Sequence, residues 1–120
     1  MAAGDDLAVE VKRYCLTFPE STEDFPWGDT VYKVRGKVFV FAGFTKEKVF
    51  GISVKLPQSA LDVLQRPYAS PTGYGLGKSG WVSIQLSQKG GPAIAEVHAW
   101  IVESWRAVAP KKLIKAHLGK

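Results

Sequence analysis

Thr30-Val-Tyr-Lys-Val-Arg-Gly-Lys-Val-Phe-Val-Phe-Ala-Gly-Phe-Thr-Lys-Glu-Lys-Val-Phe-Gly-Ile-Ser-Val-Lys55 is the stretch that decides the fold. Its first residues alternate: Val31, Lys33 and Arg35 point one way, Tyr32 and Val34 the other, as in a half-buried strand. Arg35-Gly36 is a short turn into Lys37, and Val38-Phe-Val-Phe-Ala42 is apolar on both faces, which predicts a central strand. After a polar turn, Thr45-Lys-Glu-Lys48, the residues Phe50, Ile52 and Val54 share one face of a strand over Val49 to Lys55. Strands in succession joined by tight turns predict an antiparallel meander.

Upstream, Asp5 or Asp6 can cap a helix whose apolar positions Leu7, Val11, Tyr14, Cys15 and Phe18 recur at helical spacing. Phe18-Pro19 ends it, because the residue before proline is pushed out of the α region. Glu20 to Gly28 reads as an edge strand or extended loop around Pro26. Downstream, Pro57 fits the first position of a helix with Ala60, Leu61 and Leu64 on its buried side, closed by Pro67. Arg66 to Pro71 is broken by proline. Glycines at 73, 75, 77 and 80 then surround Lys78, and Trp81, Ser83 and Gln85 alternate with Val82, Ile84 and Leu86 as a second half-buried strand. Gly90-Gly-Pro92 opens a long helix with the stripe Ile94, Val97, Ile101, Ser104 or Trp105, and Val108. Ala109-Pro110 breaks it before a short basic helix, Lys111 to Leu118. The expected fold class is α+β: an antiparallel sheet, made of the meander plus a later glycine-rich hairpin, with helices packed on one face.

At 120 residues, with 46% hydrophobic and 22% charged residues, the chain reads as a single globular domain, 1–120. No apolar run approaches the roughly 20 residues that span a bilayer, and Met1 to Asp6 lacks the basic-then-apolar order of a secretory signal. A lone cysteine, Cys15, fits a reducing compartment, so the cytoplasm is the expected location. The net charge of +5 is unevenly spread: residues 1 to 29 carry two basic and seven acidic residues, 30 to 89 nine and two, 90 to 120 five and two. A basic body behind an acidic start raises the prospect of a phosphate-attracting face; the plainer reading is a set of solvated strand and turn lysines.

The motifs that would carry catalysis are weak. Thr72-Gly-Tyr-Gly-Leu-Gly-Lys-Ser79 approaches a phosphate-binding P-loop, but it begins with threonine and leads into a strand where a P-loop needs a helix. Gly75-Leu-Gly-Lys-Ser-Gly80 matches a dinucleotide fingerprint by letter and fails for the same reason. His98 and His117 lie 19 positions apart with no ligand-type residue at i+4, so no metal site and no cofactor is expected. Glu20, Glu23, Asp24 and Asp29 read as a solvated turn, Cys15 as packing, and no residue set shows catalytic roles, so no enzyme activity is expected. Trp100 and Trp105 read as core; Trp27 and Trp81, beside glycines, are the tryptophans able to face a ligand, although packing is the commoner fate of such residues.

The order of Pro19-Glu20, Tyr32-Lys33-Val34 with Gly36-Lys37-Val38-Phe39, Ser53-Val54-Lys55-Leu56-Pro57, Lys78-Ser-Gly-Trp81-Val82 and Glu103-Ser104-Trp105 resembles the MmcQ/YjbR family of small cytoplasmic proteins often described as DNA-binding. The resemblance covers nearly the whole chain. It implies a secretion-chaperone-like α+β fold, with two helix-plus-hairpin halves likened to a double-wing DNA-binding architecture. It matches Lys33, Lys37, Lys55, Lys78 and Trp81, while Gly77 and Gly80 stand where many relatives have polar or aromatic residues. Together with Arg35 and Tyr74, these residues form the candidate DNA contacts, reaching mainly phosphates with little base reading. The alternative is a protein-interaction or small-ligand domain using exposed aromatic loops at Trp27, Tyr74 and Trp81. A monomer is expected, since no heptad seam or long unprotected apolar strand asks for a partner.

Overall fold

Residue parity builds the sheet. In the computed structural model, residues 3–25, 30–73, 79–88 and 90–118 are described; Trp27, Tyr74 and Lys78 lie outside them. The elements are α1 Ala3–Cys15, β1 Ser21–Asp24, β2 Thr30–Val34, β3 Lys37–Phe44, β4 Phe50–Lys55, α2 Ala60–Val63, β5 Ala69–Pro71, β6 Trp81–Gln85, α3 Ile94–Val108 and α4 Lys111–Leu118. Each strand pairs antiparallel with its neighbours in one sheet of order β1-β2-β3-β4-β6-β5. The expected α+β class holds, with the meander at one side and the later hairpin, β5 and β6, at the other.

One face of the sheet carries Tyr32, Val34, Val40, Ile52, Val54, Val82 and Ile84, all buried. Val11 and Cys15 of α1 and Val97, Ile101 and Trp105 of α3 complete that core. Leu113 and Ile114 of α4 pack on its margin. The Arg35-Gly36 turn has positive φ at both residues, 50° and 81°, the geometry of a two-residue hairpin turn. The β2–β3 register slips between Tyr32 and Lys33, because Tyr32 pairs with Val40 but Lys33 with Val38, which makes Phe39 the extra residue of a bulge.

Local patterns misplaced several boundaries. Asp5 and Asp6 lie inside the first turn of α1 rather than capping it, where they still oppose the positive end of the helix dipole. Leu61, expected in the core, is 82% exposed, and Val63 is buried instead. α2 spans only Ala60–Val63 and does not begin at Pro57. Glu103 of α3 explains how so short a helix is held: its carboxylate accepts hydrogen bonds from the Gln58 and Ser59 amides and from Ser59 Oγ. The proline-broken segment forms the edge strand β5; Pro71 fits there because an edge residue need not donate to the ladder. No helix among the described residues is long and apolar enough to cross a membrane.

Candidate nucleic-acid interface

The acidic start of the chain folds back onto the first basic strand. Pairing of β1 with β2 sets Thr22 opposite Lys33 and Ser21 opposite Val34, which brings the β1 carboxylates to the candidate cations. Arg35 Nε and Nη2 donate to both Glu20 oxygens at 2.8 and 3.0 Å, and Lys33 Nζ donates to Asp24 Oδ2 at 3.0 Å. These bonds hold the Glu20 and Asp24 carboxyls below their ordinary range. Glu23 accepts from Tyr32 Oη at 3.0 Å and pairs with Lys12 at 3.4 Å. Lys33 and Arg35 are therefore already engaged by carboxylates. Lys37 and Lys55 have no ion-pair partner among the described residues.

Trp81 lies on the sheet face turned away from the helices, with Lys55 as its cross-strand partner. It is 8% exposed and meets Phe41 edge-on, ring centroids 5.3 Å apart at 65°. Its ring supports a neighbour and presents little surface of its own. Phe41, Ser53 and Ser83 stand side by side across β3, β4 and β6 on this face. Beyond them Gly43 pairs with Gly51, and there the outer face is bare backbone. The result is a trough of about 670 Å³, floored by these residues and walled toward β5 by Ser70 and Thr72.

Lysines flank the trough along the β3–β4 hairpin. Lys46 and Lys48 are exposed on its turn, adjoining Thr45 of the trough wall, and Lys55 sits two residues beyond Ser53 on the same face. A second basic cluster, Arg106, Lys111, Lys112 and Lys115, joins the end of α3 to α4, a helix whose first turn holds no acid. Sequence reasoning marks Lys111 to Leu118 as a basic helix but does not name it, Lys46 or Lys48 as candidate contacts. The available signal for the cluster is the absence of nearby acids in α4. For Lys46 and Lys48, only the strand register shows that the turn adjoins the trough.

Other titratable groups are engaged in packing. Glu10 is pulled down to about 2 by hydrogen bonds from Arg13 and His98. The His98 contact joins α1 to α3, Nε2 lying 2.7 Å from Glu10 Oε2 with the imidazole stacked on Tyr14, so the carboxylates nearest to it in sequence are not its partners. Arg66 ties α2 to α3 through Glu96 and to β5's entrance through Tyr68. Burial pushes the Cys15 thiol up, away from nucleophilic reactivity. Among the described residues no group of three His, Cys, Asp or Glu side chains could hold a metal ion.

A model of the YjbR family matches residues 16–107. The crystal structure of a protein from Pseudomonas syringae is similar with a TM-score of 0.59 and 20% identity, over 89% of this chain and 98% of that one. That likeness is one of fold. No curated protein matches the chain.

Proposed function

The chain belongs to the YjbR family, and on that premise we propose that it is a DNA-binding protein that holds the phosphate backbone with cations its own acids leave free. The observation carrying this reading is the fate of the charges. Five described basic residues, Lys12, Arg13, Lys33, Arg35 and Arg66, are in ion pairs with carboxylates. Eight have no carboxylate partner among the described residues: Lys37, Lys46, Lys48, Lys55, Arg106, Lys111, Lys112 and Lys115. Of the described acids, only Asp5, Asp6 and Glu47 have no side-chain hydrogen-bond or ion-pair partner among the described residues. The free cations therefore outnumber the free acids. Lys37, Lys46, Lys48 and Lys55 lie on the β2–β3–β4 hairpins and form the contact set, in place of Lys33 and Arg35.

The rival, an interaction domain built on aromatic loops, draws less support, since Trp81 is buried and Trp27 and Tyr74 lie outside the described residues. A binding role rather than catalysis is supported by the engagement of the most strongly shifted groups, Glu10, Arg66, Cys15 and Tyr32, in ion pairs or core packing. Release of counterions by four phosphate contacts gives a log-log salt slope of about −3 to −4, so affinity should fall by about three to four orders of magnitude over a tenfold rise in salt. Titration of a labelled duplex across that range checks it. Absent binding at low salt, or a flat salt dependence, would overturn the proposal.

A further inference from the structure

The geometry points to a base-binding site in the trough on the outer sheet face: an unpaired nucleobase of a single strand lies against Phe41 and the bare backbone at Gly43 and Gly51, its edge on the hydroxyls of Ser53, Ser83 and Thr72. This rests on the nucleic-acid reading above and adds to the phosphate-holding lysines a site that only an unpaired base can enter.

The trough's chemistry selects the ligand. Among the described residues no charged side chain lines it, so it suits a neutral group. Gly43 leaves open space above the strand, so a flat ring can approach the main chain there. Phe41 supplies a π-face at one side, held edge-on by the buried Trp81. Aromatic rings on a sheet face are the means by which nucleic-acid-binding sheets stack splayed bases.

The polar edge is unsaturated. Ser53 Oγ lies 2.8 Å from Ser83 Oγ, which lies 3.0 Å from Thr72 Oγ1. Three hydroxyls carry three O–H donors, and two bonds within the row use two of them. The remaining donor, and the spare lone pairs, are free for a ligand, and reversing the row moves that donor from one end to the other. Such an edge accepts the mixed donor and acceptor pattern of any base. Charge complementarity completes the fit: Lys55 at one end of the hairpin and Lys46 and Lys48 at the other flank a neutral floor, as phosphates flank bases along a strand.

The test uses Gly43→Val in the full chain. No described atom lies within 4 Å of a Cβ added there, so the β-carbon has room, the valine methyls intrude on the trough that Gly43 lines, and the substitution favours the strand conformation. Labelled oligonucleotides, as a single strand, as the matched duplex and as an abasic strand of equal charge, are titrated against both proteins, with melting measured alongside. The expected result is a roughly tenfold weaker single-strand affinity for the variant, close to that of the abasic strand on the native protein, with duplex affinity and melting preserved. Equal affinity of the two proteins for the single strand, or equal binding of intact and abasic strands by the native protein, would overturn the base site while leaving phosphate binding standing. Failure of every nucleic acid to bind would overturn both readings. A free nucleoside binding as tightly as the strand would overturn the strand as the source of the base.

Discussion

Ser104 is a buried polar residue that the helical stripe of α3 did not distinguish from its neighbours, yet it joins three elements. Its hydroxyl donates to the carbonyl of Phe39, the bulged residue of β3, and accepts from the amide of Lys55 at the end of β4. Both backbone groups are deprived of a partner if the oxygen is removed. Ser104→Ala should therefore cost roughly 2 to 4 kcal/mol, read as a lower denaturant midpoint; a loss under about 0.5 kcal/mol would show that the backbone groups find other partners. Trp81 teaches the complementary lesson. A tryptophan beside glycine is able to face a ligand, but packing is the commoner fate of such residues and the 8% exposure of Trp81 agrees with it; alternation with Val82 says nothing of Phe41, which helps cover the ring.

At the scale of elements, the two paired glycines of the hairpin differ in what surrounds them. A Cβ at Gly51 would stand 2.8 Å from the Ile84 carbonyl oxygen on β6, a backbone atom that cannot swing aside, whereas a Cβ at Gly43 meets no described atom within 4 Å. Gly51→Ala should separate β4 from β6 and cost roughly 1 to 3 kcal/mol, while Gly43→Ala should leave stability within about 0.5 kcal/mol or raise it; thermal melts of the two variants decide the matter. The strands of the meander and β6 are legible in the sequence because a period of two is written locally into residues 30–35, 49–55 and 81–86, and a run apolar on both faces into 38–42. β5 is not, since a three-residue edge strand containing Pro71 has no pattern of its own and exists by pairing with β6. α2 was overdrawn for a related reason: the amides ahead of it are satisfied by Glu103, 44 and 45 residues away, and not by a local cap.

For the whole molecule, Glu10 between α1 and α3, together with the carboxylates that neutralise the basic strand, sets the acid limit of the fold. Hydrogen bonds from Arg13 and His98 hold Glu10 near 2 against an ordinary 4.5, and Arg35 and Lys33 lower Glu20 and Asp24. A carboxylate depressed in the folded state contributes fully above its unfolded value and loses that contribution as pH falls through the folded one. Melting temperature should thus start to fall below about pH 4.5 and continue falling toward pH 2 as Glu10 protonates. Glu10→Gln should be less stable at neutral pH and show a shallower acid decline. A decline unchanged by that substitution would assign it to other groups. The sequence alone determined the α+β class, the order of strands in the meander, the second hairpin strand and the long helix α3, because each rests on a period of two or 3.6 residues and on turn chemistry within a few positions. Tertiary structure alone decided which charges remain free and where a ligand could lie. The polar contacts join residues 9, 15 and 88 positions apart, and the trough needs β6 beside β4 and β5 beyond it, an adjacency that no local period encodes.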